Sequence, residues 1–241
     1  MGSEMCIRDR CNGGIWWDKP HSGSLSSISN ELFLSTAAHL ANRVGADQKN
    51  VYLNWAKMEW DWFWNSGVIN STTGLVNDAI DKVTCKNDGK TPFTYNQGPV
   101  LSGLSELAKA TSDGGYIDVS HPFTLPLTAL TTFQHARAIA SATLTHLTED
   151  GILTEPVKRE GGLGEAGSMF KGAFIRGLLS LHRNEPQQAY ADFFKKNADS
   201  VWSKARNSDG LFQDIWQGGS TNVNIVTHAS GIDVLVAAAA A

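Results

Sequence analysis

Two short runs hold the side chains best suited to grip a ligand: Gly13-Gly14-Ile15-Trp16-Trp17 and Thr94-Tyr95-Asn96-Gln97-Gly98. Each sets aromatic and polar residues beside glycines just ahead of a helical pattern, the usual make-up of a cleft for a polar, ring-shaped ligand. An aromatic face stacks on the C–H face of a pyranose, while Asn and Gln offer donors and acceptors to its hydroxyls. The chemistry implied is sugar binding. Of Trp16 and Trp17, one ring is expected to stack on sugar and the other to pack. Tyr95, Asn96 and Gln97 either line the cleft or satisfy backbone groups at a helix start. Asp78 adds an acid on a long loop, able to accept from two adjacent hydroxyls or simply to cap its own loop. Asn30 and Glu31 stand near the start of a helix, where the dipole favours a carboxylate with or without a ligand.

The composition supports one ordinary domain around these residues. In 241 residues, 41% are hydrophobic and 18% charged, enough for a sizeable core and without the bias of a disordered chain. A formal net charge of -4 gives no basic footprint for nucleic acid or anionic lipid, so neither is expected as a partner. No run approaches the roughly 18 apolar residues of a membrane span. Eight tryptophans suit a large core or a carbohydrate cleft. His21, His121, His135 and His228 show no metal-ligand spacing, so no zinc site is expected.

The first ten residues, Met1 to Arg10, have neither a signal peptide's apolar core nor a helical period, and Met5-Cys6-Ile7-Arg8-Asp9-Arg10 resembles translated adapter sequence. They are set aside as non-native, leaving residues 11–241 as the domain, with the native N-terminus and any secretion signal expected upstream. Cys11 and Cys85 then remain, either as a disulfide suited to export or as two free thiols. Asn70-Ser71-Thr72 fits the glycosylation acceptor pattern.

Helices must position these residues. Ile28, Leu32, Thr36, Leu40 and Val44 recur every four residues, with Ser29 or Asn30 as candidate N-caps and Gly45 as a stop. Val51, Trp55, Met58 and Trp62 mark a second helix closed by Gly67, the pair forming an αα-hairpin. Trp55, Trp60, Trp62 and Trp64 are expected in the core. Pro99 opens a short helix with Leu101, Leu104, Leu107 and Ala108 on its apolar face, ended by Gly114-Gly115. Phe133, Ala136, Ala140, Leu144 and Leu147 mark the next, before a turn at Asp150-Gly151. Phe170, Phe174, Leu178 and Leu181 follow, then Tyr190, Phe194, Ala198 and Val201, and finally Ile232, Leu235 and Val236. About seven helices and no alternating strand make the class all-α. Short connections alternate with long Gly-, Asn- and Asp-rich loops, which suits a toroid of helical hairpins with its site at one end.

In order and spacing, Cys11 to Trp17, Ser27 to Glu31, Trp60 to Phe63, Leu75 to Asp78, Thr94 to Gly98, Phe170 to Arg176 and Asn197 to Trp202 resemble glycoside hydrolase family 76, the α-1,6-mannanases of bacteria and fungi. The resemblance covers nearly everything from Cys11 onward. It implies an (α/α)6 toroid, hydrolysis of α-1,6-mannosidic bonds without metal or other cofactor, a mannose-containing glycan as partner, an extracellular or cell-surface location, and a monomer when complete. By the same resemblance Trp16, Trp17, Asn30, Glu31, Asp78, Tyr95, Asn96 and Gln97 are the candidate substrate-binding residues. One departure is the Glu165-Ala166-Gly167-Ser168-Met169 run ahead of Phe170, where the family often carries Asp-Gln; Glu165 either substitutes or faces solvent. Lys171 and Arg176 are expected at helix ends or in ion pairs.

Glycoside hydrolysis needs two carboxyl groups about the scissile bond. In the family these are an adjacent Asp-Asp pair ahead of the Gly-Gly-Ile-Trp-Trp run. No adjacent Asp pair occurs in this sequence, so no catalytic residue is transferred and the chain is expected to be inactive. About seven helices of a twelve-helix toroid would leave apolar faces bare, so instability or aggregation is expected. A catalytically silent mannan-binding protein, a cell-wall transglycosylase, and another sugar enzyme on a helical toroid are the alternatives.

Overall fold

The computed structural model describes residues 11–112, 129–156 and 164–241. It is a helical protein: β1 (Leu25–Ser26), α1 (Ser27–Ala41), α2 (Ala46–Asn65), β2 (Ala79–Ile80), α3 (Gly98–Ser112), α4 (Ala129–His146), β3 (Thr148–Glu149), β4 (Ile152–Leu153), α5 (Gly164–Gly167), α6 (Phe170–Asn184), α7 (Gln188–Lys204) and α8 (Ile225–Ala240). The seven long helices are those that the periodicity marks. The Gly114-Gly115 stop and His121 lie outside the described residues. Contacts gather into two compact units, Met1–Lys90 with Gly103–Ala138, and Thr91–Ser102 with Ile139–Ala241.

In the first unit α1 and α2 form the expected hairpin. The N-cap of α1 is Ser26, whose side chain accepts from Ser29 N, in place of Ser29 or Asn30. Its buried face is also displaced: Asn30, Glu31, Leu34, Ala37, Ala38 and Ala41 point inward, while Leu32 and Thr36 are exposed. On α2 the inward residues are Leu53, Ala56, Glu59, Trp60 and Phe63, and Val51 and Met58 are exposed. The apolar stripes read from the sequence are therefore not the fully buried faces: Ile28, Leu40, Val44, Trp55 and Trp62 are only part-buried. Gly103 of α3 packs on α1, where a Cβ would come 2.8 Å from the Leu34 side chain. Asn42 donates to the Glu106 carbonyl at 2.8 Å, and Arg43 pairs with the Glu106 carboxylate at 2.9 Å.

β1 pairs antiparallel with β2, Leu25 opposite Ile80 and Ser26 opposite Ala79. This brings the loop from Gly67 to Lys90 against the start of α1. Its interior is held by Asn77, which donates to the Lys90 carbonyl and accepts from Asn87.

In the second unit α6, α7 and α8 pack on one another. The predicted stripes on α6 and α7 are the buried ones: Phe174, Leu178, Leu181, Phe194 and Val201 are all essentially inaccessible. On α8 they are not. Ile232 and Val236 are exposed, and Thr227, Ser230, Gly231, Val234 and Ala237 face inward. Asn224 and Thr227 form a reciprocal capping box at its start. Asp150 and Gly151, both at positive φ, tip the hairpin of β3 and β4, as an Asp-Gly two-residue turn requires.

Candidate functional site

In the first unit the Gly13-Gly14 run is fixed from both sides. Cys11 is joined to Cys85 by a disulfide, with Cα atoms 5.1 Å apart, and the Trp62 indole N–H donates to the Cys11 carbonyl at 3.1 Å. Gly14 sits at φ +88, and a Cβ there would fall 2.3 Å from the Trp62 ring, so both conformation and space demand glycine. Asn30 ties the next residue down: it accepts from Ile15 N at 2.7 Å and donates to the Ile15 and Ser26 carbonyls. Trp16 is half-buried and stacked on His21 with centroids 4.7 Å apart, whereas Trp17 is 65% exposed. Of the two rings, Trp17 is the one open to a ligand.

The same helix start holds Asp78. Ser27 N donates to the Asp78 carbonyl at 2.9 Å, and Ser27 Oγ donates to Asn77 O. Glu31, one turn further along, is fully buried, and among the described residues no donor meets either of its carboxyl oxygens. Burial, and then the nearby charge of Asp78, hold the Glu31 carboxyl well above the usual carboxylate range. Trp16, Trp17, Asn30, Glu31 and Asp78 are thus brought to one end of α1, with the buried Glu31 carboxyl set near Asp78.

The outer stripe of α2 is not core. Trp55 and Trp62 are half-buried and, with Phe33 of α1, wall a cavity of about 330 Å³ that Glu59 and Asp61 also line. Trp60 is in the core as expected, and Trp64 is 47% exposed beside His135.

In the second unit Thr94–Asn96 is a single 3-10 turn leading into α3. Thr94 N donates to a Glu155 carboxyl oxygen at 3.1 Å, and Thr94 Oγ1 donates to the other. Tyr95 packs on Phe170 at 4.3 Å and on Phe93 at 6.0 Å. Asn96 and Gln97 are fully buried, Gln97 donating back to the Phe93 carbonyl at 3.0 Å. Gly98 explains the end of the run. It meets α6 backbone to backbone: a Cβ on Gly177 would lie 1.9 Å from Gly98 O, and one on Gly98 would lie 2.3 Å from Ala173 O. Asn96 and Gln97 therefore do packing work at the start of α3, and Tyr95 keeps partial exposure.

Lys171, expected at a helix end or in an ion pair, belongs to a buried charged group with Glu155. Lys171 is buried, donates to the Asp214 carbonyl, and stands 4.9 Å over the Trp216 ring. Burial pulls its ammonium down to about 8 against the opposing charges of Glu155 and Asp214. Glu155 is itself pushed up by burial and restrained by Thr94 and Lys171. Arg176 pairs with Asp233, as expected of a helix-borne cation, and Glu165 faces solvent. His21 stacks on the Trp16 indole, His135 lies tilted against that of Trp64, and His228 accepts from Phe212 N at 3.2 Å.

The family model for glycosyl hydrolase family 76 matches residues 5–239. The chain belongs to glycosyl hydrolase family 76. Among curated relatives it is similar to mannan endo-1,6-alpha-mannosidase DFG5 of Saccharomyces cerevisiae, at 26% identity over 80% of this chain and 40% of that protein. It is also similar to mannan endo-1,6-alpha-mannosidase DCW1 of Candida albicans, at 32% identity over 44% of this chain and 24% of that protein. Among solved structures it is similar to an inactive variant of an α-1,6-mannanase of Salegentibacter sp. HEL1_6, bound to α-1,6-mannotriose, with two adjacent aspartates each replaced by asparagine. The TM-score is 0.75 at 26% identity, covering 96% of this chain and 64% of that one. The chain thus spans two fifths or less of the length of these curated relatives. The fold is the all-α, α/α-toroid class of family 76, as the resemblance implies.

Proposed function

We propose that the protein to which this chain belongs is an endo-α-1,6-mannanase, and that the residues at the start of α1 form part of its substrate cleft. The observation that carries the reading is the juxtaposition of exposed Trp17, Asp78 and buried Glu31 at one helix end in a family 76 chain. Trp17 supplies a stacking face, and Asp78, which keeps partial exposure, supplies hydroxyl contacts, with buried Glu31 behind it. Asn30 acts by holding the Ile15 backbone, and with it the tryptophans, in place. Tyr95 is a second candidate contact, positioned by Phe170; Asn96 and Gln97 support it from beneath.

The 241-residue chain by itself does not hydrolyse mannan in this reading. Hydrolysis requires two carboxyls in defined roles, the related mannanase is inactive when two adjacent aspartates are replaced, and no adjacent Asp pair occurs here. The same observation favours a second reading, a mannan-binding protein without turnover. Transglycosylation uses the same groups and differs only in the acceptor. The Cys11–Cys85 disulfide supports an extracellular or cell-surface location, where such bonds persist.

The test is product analysis with α-1,6-mannotetraose. The protein expressed from its complete coding sequence is expected to yield shorter mannooligosaccharides, and the 241-residue chain none. Longer products would identify transglycosylation. Binding without any product from the complete protein would select the silent reading, and turnover by the 241-residue chain would overturn the assignment of catalysis to residues outside it.

A further inference from the structure

The run Asn70-Ser71-Thr72 has no part in the mannanase reading, and its surroundings suit it to another use. No other asparagine in the sequence is followed two residues on by Ser or Thr, and the middle residue is not proline. The run sits at the tip of a short loop. Ile69 and Val76 pair antiparallel, Asn70 N donates to the Leu75 carbonyl at 2.8 Å, and Gly74 N donates to the Asn70 carbonyl at 2.7 Å. Leu75 and Val76 are buried and anchor the returning side, while Ser71 and Thr72 are exposed and Asn70 partly so.

The two ends of the Asn70 amide are used differently. Its Oδ1 accepts from Thr72 N at 2.9 Å and from Thr73 N at 3.1 Å, so the side chain itself braces the turn. Its Nδ2 and the Thr72 hydroxyl form no hydrogen bond among the described residues. A substituent on Nδ2 therefore leaves the turn whole, because both backbone bonds rest on the oxygen. It also leaves from an exposed tip into water, where a bulky, solubilising glycan must lie.

We propose that Asn70 is an N-glycosylation site. Nδ2 bonds to the anomeric carbon of a lipid-pyrophosphate-linked oligosaccharide and the amide gives up one proton. The bond from that carbon to the pyrophosphate oxygen breaks, and the lipid pyrophosphate leaves with the electron pair. The chain meets such a donor only on an export route, for which the Cys11–Cys85 bond speaks independently of any mannan chemistry.

The test is tryptic mapping of the protein expressed from its complete coding sequence in a yeast. Cleavage after Lys57 and Lys82 gives a peptide, 58–82, that contains Asn70 and no second acceptor. This peptide is expected to carry a hexose-rich glycan, removed by peptide N-glycosidase with deamidation at Asn70. Thr72→Ala should abolish the glycan and Thr72→Ser should restore it in whole or part. Both variants keep Asn70 and the backbone N–H groups that it braces, so circular dichroism and melting should match the parent. An unmodified 58–82 peptide from protein in which Cys11 and Cys85 are joined would overturn the proposal, as would a glycan that persists in Thr72→Ala. If those cysteines are recovered as free thiols and the peptide is unmodified, the exported location fails and the proposal falls with it.

Discussion

Asn30 and Glu59 show two opposite ways of burying a polar side chain. Asn30 uses its amide fully, on the backbone of Ile15 and Ser26. Asn30→Ala leaves those groups unpaired in the interior and is expected to cost about 2–4 kcal/mol, read as a lowered denaturation midpoint, with Trp17 fluorescence more solvent-quenched. Glu59 instead keeps a proton. In the folded state it releases that proton near pH 8, while the unfolded chain releases it near the ordinary value of 4.5. The folded form thus holds the extra proton between these values, and stability falls as pH rises through that window. Glu59→Gln removes the slope and is expected to stabilise the protein by a few kcal/mol near pH 8, with little effect near pH 4. Urea titrations at several pH values give the comparison; an unchanged slope would mean that Glu59 ionises normally.

At the scale of elements, backbone contact without side chains fixes the second unit. Gly98 and Gly177 let the start of α3 lie directly on α6. Gly177→Ala pushes a methyl into the Gly98 carbonyl, so a loss of about 3 kcal/mol or more is expected, and with it the Tyr95 packing on Phe170. A thermal melt together with the Tyr95 ring resonances would report both. Gly98 was legible because it closes a distinctive run; its partner Gly177 was not, because nothing local marks a glycine inside an otherwise regular helix. The helices themselves were legible from their period, yet their orientation was legible only in part. On α6 and α7 the largest apolar residues are the buried ones. On α1 the inward face carries Asn30 and Glu31, whose burial depends on Ile15 and Asp78 far along the chain, and on α2 the large apolar stripe walls a cavity. Glu59 and Glu155 gave no signal, and the burial of Lys171 was not legible, for the same reason: a single charged residue looks solvated until its neighbours in space are known.

For the whole molecule two features set behaviour in solution. The Cys11–Cys85 bond closes a separation of 74 residues, and its removal in a Cys85→Ser variant is expected to cost up to about 4 kcal/mol and to loosen the Gly13-Gly14 rim. Equilibrium unfolding with and without reductant measures this. The outer face of α8 exposes Ile225 at 81%, Ile232 at 42% and Val236 at 52%, in helical register. Such a stripe favours association, so the 241-residue chain should elute above its monomer mass, and Ile232→Glu with Val236→Glu should return it toward monomer without loss of helix content. Light scattering after gel filtration decides between them.

The proposed cleft face for α-1,6-mannan lies at the start of α1, where Trp17 is exposed. Calorimetric titration of α-1,6-mannotriose into the protein expressed from its complete coding sequence tests it most directly, comparing the parent with Trp17→Ala. Binding by the parent and about tenfold or greater weakening in the variant are expected, from loss of the stacking face. Equal affinity in the two proteins, or no binding of mannotriose by the parent, would contradict it.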